Sequence, residues 1–431
     1  MAIYDEVRKA DVPWQRMLEG TRGAILARGT EGIPLLVEQL QSPHKGIFQI
    51  GLSTARELPG REVDKALAGE LDRAAPERAA LLIVAMADRK DTVELPAVLK
   101  AASHGPKPVR LAAITALGRV GDATSLSPLL DILAESDAEL TPAAKAALAK
   151  LPSSVDKDLA ARLATTQGKL YPLLIEVVGM RRIEATADLV KALDHSDKAV
   201  RTAALTALGE TVSPKSLNVL IAQVVSPKTA DDAPAAQQAL KTAAVRMPDR
   251  EACAAELAAA LDRSPKATRL VLLDILAEVG GAKALQAVGA AARSADPQLQ
   301  DVGSQLLGKW MTPDVAPVLL DLAKTGPVNF QIRSLRGYIR VARQMDLSDS
   351  QRVEMLRTAF ETAQRPDEKK LVLEALKTRP KPTVDMLRLA VNALQTAEVK
   401  EDAAQAVQAM APKLEKSAEV KELLSKAGLN K

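Results

Sequence analysis

The chain has 431 residues, of which 47% are hydrophobic but only 2% aromatic. A large globular core or a deep ligand cavity normally contains many aromatic side chains, so this composition disfavours both and favours thin layers of aliphatic helices. The 58 basic and 54 acidic side chains give a net charge of +4 and are mixed along the chain, which disfavours general nucleic-acid binding. No apolar run approaches the roughly 18 residues of a membrane span, so we expect a soluble protein without one.

The first thirty residues are predicted to form N-terminal cap helices. Acidic residues occur from Asp5 onward, and no apolar segment of the kind found in a secretory signal is present on the chain as given. We expect Trp14 to cover the exposed apolar seam of the first repeat rather than to bind a ligand. The native compartment stays open at this point.

A repeat of about 30 residues organises residues 31–411. The segments 109–118 and 200–209 are nearly the same, and related segments fall between them in the same register. With Gly118 as the marker of one unit, equivalent positions recur at intervals of about 30 to 36 residues. The markers of the twelve units are Arg56, Ala87, Gly118, Ala149, Gly179, Gly209, Lys241, Ala277, Gly308, Val341, Lys377 and Gln408.

Each unit is predicted to contain two antiparallel helices. Apolar residues recur at helical spacing, prolines such as Pro128 and Pro317 suit the first turn of the shorter helix, and glycines such as Gly280 mark helix ends. No alternating segment indicates a sheet. We therefore predict an all-α fold, a right-handed α-solenoid of about twelve stacked HEAT-like helix pairs, with small residues at the markers and the second helices on the inner face. The prediction is a single domain over 1–431, with a C-terminal cap helix in 412–431.

The segment from Val109 to Asp122 resembles the short HEAT-like repeat first associated with phycobilisome (PBS) lyases, and this resemblance covers nearly the whole chain. The stretches 306–314, 331–340 and 368–374 are similar to exported HEAT-repeat proteins of planctomycete-type bacteria, some of which are fused to a 3-keto-disaccharide hydrolase domain. That resemblance implies no catalytic residues for this chain. It also implies a periplasmic location, which is compatible with a leader trimmed before residue 1.

No convincing catalytic, cofactor or metal site is predicted. Repeats of the deoxyhypusine hydroxylase type bind iron with His-Glu pairs, but His44, His104 and His195 are followed by other residues and are expected in turns. Cys253 is the single cysteine, so a cysteine metal cluster is excluded. We therefore expect no enzyme activity and no cofactor.

One patch departs from the repeat pattern. Arg333, Arg336, Arg340 and Arg343 follow one another at helical spacing with no acidic residue between them, and the predicted register puts Arg336 and Arg340 where Ala113 and Leu117 stand in another unit. Together with Tyr338 and Trp310 they are candidate contacts for carboxylates or phosphates of a partner. The alternative is that the arginines pair with acids of adjacent units, for which the sequence offers Asp314, Asp321, Glu361 and Glu374.

These observations favour a non-catalytic scaffold that binds a protein partner or a covalently linked domain through its concave face. The sequence favours a monomer and leaves the partner open. One alternative is nucleic-acid binding similar to that of the HEAT-like alkylpurine DNA glycosylases, which the scarcity of aromatic residues and the charge balance disfavour. Another is a bilin lyase-like chaperone, which rests on the repeat type alone.

Overall fold

The computed structural model describes residues 2–428, and throughout this range the regular elements are helices, with no β-strand. The all-α prediction is confirmed. No helix in this range is long and apolar enough to cross a membrane. The chain divides into two compact units, the first formed by residues up to 212 together with 229–239, the second by residues 213–228 and those from 240 onward.

The first unit contains fourteen α-helices and the start of a further one, α16. Their bounds are α1 Ala2–Lys9, α2 Trp14–Arg28, α3 Ile33–Gln41, α4 Lys45–Glu57, α5 Arg61–Leu71, α6 Pro76–Ala87, α7 Leu95–His104, α8 Lys107–Val120, α9 Leu126–Ala134, α10 Leu140–Lys150, α11 Asp156–Arg162, α12 Leu170–Met180, α13 Thr186–Ala192 and α14 Lys198–Thr211.

The helices that follow belong to the second unit, apart from the start of α16. Their bounds are α15 Leu217–Val225, α16 Ala233–Arg246, α17 Arg250–Leu261, α18 Lys266–Val279, α19 Gly281–Ala292, α20 Pro297–Gly308, α21 Ala316–Thr325, α22 Val328–Gln344, α23 Asp349–Thr362, α24 Pro366–Lys377, α25 Val384–Ala393, α26 Lys400–Met410 and α27 Ala418–Lys426.

The helices form pairs that stack side by side within each unit. An odd-numbered helix packs on the even-numbered helix that follows it, and even-numbered helices such as α6, α8 and α10 pack on one another. We call the even-numbered helices the second helices. All twelve predicted markers lie in second helices, from α4 to α26, so the predicted solenoid of HEAT-like pairs is confirmed.

Small residues bring the second helices into close contact, as the composition predicts. A Cβ added at Gly179 of α12 would lie only 2.8 Å from the Cα of Ala207 in α14, which leaves no room for a side chain. Around this contact the seam is filled by buried aliphatic residues such as Leu174, Val178 and Leu208. Each fully buried leucine or valine contributes about 1.5–3 kcal/mol relative to an exposed one, so aliphatic residues supply most of the stabilisation of the stack.

Arginine side chains such as Arg110 and Arg201 connect neighbouring repeats. Arg110 donates to the Ala102 carbonyl and to Glu135 of the next repeat. Arg201 donates from Nε to Asp232 at 2.7 Å and from Nη1 to the carbonyls of His195 and Ser196. Both arginines therefore link one repeat to the next.

Candidate functional site

The predicted arginine row, Arg333, Arg336, Arg340 and Arg343, lies on α22 of the second unit. This helix begins after Pro327 and ends before Met345, and its opposite side buries Leu335, Ile339 and Ala342. The row and the core stripe therefore occupy different sides of one helix, as their spacing predicts. All four guanidinium groups belong to the same second helix, but each has different surroundings.

The register of α22 differs from the predicted one by two residues. A Cβ added at Gly337 would lie 3.3 Å from the Cα of Gly308 in α20, so Gly337 takes the close-approach position that Ala207 has in α14. Gln331 donates to the carbonyl of Gly326, as Arg110 does to that of Ala102. The residue equivalent to the marker is thus Ile339, and the prediction that Arg336 and Arg340 replace core residues is wrong.

Arg333 is held on the surface by the preceding second helix. Its Nη1 donates to the Asp301 carboxylate at 2.6 Å and to the hydroxyl of Ser304 at 2.7 Å, and the guanidinium lies 5.1 Å from the centre of the Phe330 ring. The hydrogen bond from Arg333 is the main cause that lowers the pKa of Asp301 below its usual value. This arginine is charge-neutralised within the protein.

Arg336 reaches in the opposite direction, to the next repeat. Its Nε donates to Oε1 of Glu368 at 2.9 Å, and the Glu368 side chain is only 2% exposed although that of Arg336 is half exposed. Arg365 also lies 3.8 Å from the same carboxylate. A buried carboxylate of this kind needs its cation, so Arg336 has a structural role in addition to any contact with a partner.

Arg340 binds backbone carbonyls and no carboxylate. Its Nε donates to the carbonyl of Gly308 at 2.9 Å and its Nη2 to that of Trp310 at 2.5 Å, both at the end of α20. Burial alone lowers its pKa, although a guanidinium stays charged at neutral pH. The remaining nitrogen, Nη1, makes no hydrogen bond with the residues that the structure describes.

Two arginines of the first unit hold the same kind of helix end but have an acid as well. Arg89 donates to the carbonyls of Ala55 and Leu58 and to the buried carboxylate of Asp64 at 2.9 Å. Arg181 repeats this arrangement with the carbonyls of Leu148 and Leu151 and with Asp156. In the α20–α22 repeats the positions equivalent to Asp64 and Asp156 hold Val315 and Ala316, so Arg340 has no internal counter-charge.

Arg343 is exposed and makes no hydrogen bond or ion pair with residues 2–428. The acids that the sequence offered as internal partners are used elsewhere or make no contact with the row: Asp321 pairs with Arg293, Glu374 with Lys377, and Asp314 accepts from Thr312. The actual partners, Asp301 and Glu368, lie on the second helices on either side of α22. Both acids could have been found from the sequence, because Asp301 stands about one repeat before Arg333 and Glu368 about one repeat after Arg336.

The two aromatic candidates lie below the surface. Trp310 is 4% exposed and donates its indole N–H to the hydroxyl of Thr312, while Tyr338 is 5% exposed. Burial, together with the carboxylate of Glu354, raises the pKa of the Tyr338 hydroxyl. The participation of both rings in partner binding stays a prediction.

The remaining candidates for chemistry have structural surroundings. The imidazole of His44 accepts the Gly46 N–H at the start of α4, and His195 accepts the Asp197 N–H in the turn before α14. Burial raises the pKa of the Cys253 thiol to about 11, so this side chain stays protonated at neutral pH. In residues 2–428, no group of three or more His, Cys, Asp or Glu side chains is arranged to bind a metal ion.

No protein-family model and no curated protein matches the sequence. Among solved structures, the chain is similar to the karyopherin Kap121p bound to the SUMO protease Ulp1p, with a TM-score of 0.49 and 15% identity over 99% of this chain and 54% of that chain. It is also similar to Kap121p alone and to Kap121p bound to Pho4p, with TM-scores of 0.48 and 0.47 and 14% identity. The chain spans about half the length of these proteins. The internal repeat and the stacked helix pairs, rather than this distant match, define the fold.

Proposed function

We propose that the protein is a non-catalytic repeat scaffold that binds a protein partner through the exposed side of its second helices, with the arginine row of α22 as an anchor for carboxylates. The observation that supports this proposal is the environment of Arg340. Arg89 and Arg181, which bind the same kind of helix end from one position further along their repeats, each have an aspartate, whereas Arg340 has two carbonyl acceptors and an unbonded Nη1. A carboxylate from outside would supply the missing counter-charge.

The row offers such a carboxylate two guanidinium groups. Arg340 and Arg343 are three residues apart on one helix, so their Cβ atoms are neighbours at about 5–6 Å. Arg333 and Arg336 already have Asp301 and Glu368, which leaves the other two arginines as the excess positive charge of the surface. Arginine binds carboxylates through paired, planar donors, so an aspartate or glutamate side chain of a partner fits this position.

Charge reversal of Arg336 or Arg340 is a poor test because either change would also remove contacts that hold neighbouring helices. Arg343→Glu is the cleaner variant, since Arg343 is exposed and forms no hydrogen bond or ion pair within the part of the chain that the structure describes. Arg357→Glu is the matched control, because Arg357 is also exposed and pairs only with Glu354 on its own helix, α23. The probe is a fluorescent glutamate-rich peptide, with binding measured by anisotropy.

We expect Arg343→Glu to weaken peptide binding by about tenfold, the loss of one charge-assisted contact of about 1.5 kcal/mol, with unchanged thermal unfolding. Arg357→Glu should change binding little. Equal losses in both variants would mean that the peptide senses only the net charge and would contradict the proposal. If the wild type and both variants bind duplex DNA at about 50 mM salt, this result would instead support the nucleic-acid alternative.

The nature of the partner belongs to the same proposal. If the resemblance to exported HEAT-repeat proteins reflects common ancestry, the partner is a linked or associated domain in the same compartment, and any carbohydrate chemistry resides there. Expression of the natural reading frame, followed by mass spectrometry of the mature protein, would test this. Recovery of the chain from the cytoplasm with residue 1 intact would contradict the exported location.

A further inference from the structure

Four second helices of the first unit, α4, α6, α8 and α10, are uncharged at two equivalent positions of their outer side. On α6 the exposed side contains Leu81 and Val84, one turn apart, and each is 39% exposed although both are large and apolar. They stand six and three residues before the marker Ala87. Both side chains are therefore more exposed than the other large apolar residues of α6, which are buried or half-buried.

The same positions on the neighbouring helices are uncharged as well. They hold Ile50 and Ser53 in α4, Ala112 and Thr115 in α8, and Ala143 and Ala146 in α10, with Leu111 half-buried beside them. We call Ile50, Leu81, Val84, Leu111 and Ala112 the aliphatic band. Single exposed apolar residues are ordinary on protein surfaces. Here the exposed Leu81 and Val84 stand between half-buried apolar residues of the two second helices packed on α6, and a grouping of this kind is typical of an interaction site.

The band has a positively charged edge at the ends of these helices. Asp88 lies between Arg56 and Arg119 and accepts a hydrogen bond of 2.7 Å from each. Burial acts to raise the pKa of Asp88, but these two hydrogen bonds outweigh it and hold the pKa below its usual value. Lys150, at the end of α10, is exposed and pairs with no described residue. Arg56, Arg119 and Lys150 therefore outnumber Asp88 at this edge, and Glu57 at the end of α4 is already paired with Arg22.

The geometry favours a helix as the occupant. The side chains of the band stand on helices whose backbone groups are already hydrogen bonded, so the surface offers nothing to the unpaired N–H and C=O groups of an extended peptide. A helix brings its own backbone bonds and presents only side chains. Packed helices lie about 8–10 Å apart, which is close to the rise of about 10.5 Å between residues i and i+7 of a helix.

We propose that the aliphatic band binds an amphipathic helix of a partner protein, whose apolar side lies across α6 and α8 and whose acidic flank faces Arg119 and Lys150. This surface is separate from the arginine row and does not depend on it. A scaffold with both sites recognises an apolar helix through its first unit and an acidic segment through its second.

The probe for this site is a designed fluorescent peptide of about four helical turns, with leucines at i, i+3, i+4 and i+7 and glutamates along one flank. A second peptide carries lysines in place of the glutamates. The test variant is Leu81→Gln with Val84→Gln. The control is Val245→Gln, because Val245 of α16 is also exposed, at 51%, but lies outside the band.

We expect the double variant to bind the glutamate peptide at least about tenfold more weakly than the wild type, with the same melting temperature, and the control to bind normally. Lys150→Glu should weaken the glutamate peptide by about threefold and improve binding of the lysine peptide. Arg343→Glu should leave both unchanged, so failure of this site is distinguishable from failure of the arginine row.

Three outcomes would overturn the proposal. One is equal binding of the peptide to the wild type and the double variant, and another is indifference to the charge of its flank. The third is concentration-dependent dimerisation of the wild type, by light scattering, that the double variant abolishes, because the band would then bind a second copy of the chain.

Discussion

Leu81 and Val84 of α6 occupy the same positions in their repeat as Arg333 and Arg336 of α22. In the first unit these positions form the aliphatic band, and in the second they form half of the arginine row. Both helices nevertheless pack on the second helices beside them and bury the other side of the helix. The comparison teaches that the buried positions of a second helix are enough for stacking, while the exposed positions differ in what they add. Arg333 and Arg336 form ion pairs with the neighbouring repeats, whereas Leu81 and Val84 form none, so these positions can acquire different binding chemistry.

If the surface varies while the stacking is constant, contacts beneath the surface must hold the second helices together. The contacts of Arg89 with Asp64 and with the end of α4 give the largest expected effect. Arg89→Ala would leave Asp64, which is fully buried, without its cation, and would free the carbonyls of Ala55 and Leu58. We expect a loss of about 3–5 kcal/mol in the free energy of unfolding, measured in urea. Arg56→Ala, which removes an exposed pair with Asp88, should cost no more than about 1 kcal/mol. Similar costs for both variants would show that these contacts are not what holds α6.

The marker position itself gives opposite expectations in the two units. Gly179 has no room for a Cβ, whereas a Cβ at Gly308 meets no atom within 4 Å. Gly179→Ala should therefore destabilise the protein by about 1–3 kcal/mol through overpacking. Gly308→Ala should stabilise it by about 0.4–1 kcal/mol, because alanine restricts the unfolded chain. Thermal unfolding of both variants checks the signs, and two shifts in the same direction would contradict this interpretation of the helix contacts.

The smallest expected effect concerns the ion pair between Arg333 and Asp301, which has no equivalent at Leu81 of the aliphatic band. The hydrogen bond from Arg333 is the main cause that lowers the pKa of Asp301 in the folded protein, so the pair stabilises the fold above the unfolded pKa of about 3.9. This contribution is lost as the pH falls through the lower, folded value. In an NMR titration, we expect Arg333→Leu to move the Asp301 pKa up towards its ordinary value. Arg343→Leu, the matched control, should leave it in place, and equal shifts would assign the effect to general charge.

Much of the fold follows from the sequence because helix pairs are encoded locally. An apolar stripe recurs with each repeat and predicts the second helices and about twelve helix pairs. In α8 it consists of Val109, Ala113, Ala116 and Leu117. The predicted register of α22 was wrong by two residues. This helix, with 17 residues, is longer than the other second helices, and the residue that defines its register, Gly337, can be identified only from its contact with the Cα of Gly308 in the structure.

The candidate site was less predictable than the fold. The spacing of the four arginines placed them on one side of a helix, but their partners depend on how far α22 is rotated against α20 and α24. Asp301 and Glu368 therefore replaced the acids expected from the sequence. The aliphatic band was missed because alanine, leucine and valine have the same meaning in a sequence whether they face the core or the solvent.

Arg89 and Arg181 reach backward along the chain, each from the end of one second helix to the end of the one before it. A protease that removes C-terminal repeats therefore also strips the donors from the carbonyl end of the repeat that remains. Removal of N-terminal repeats leaves the carbonyl ends of the surviving helices bonded. Degradation should accordingly proceed in steps from the C-terminal side. After each cut, the last remaining repeat has lost these donors and should be the next to be digested.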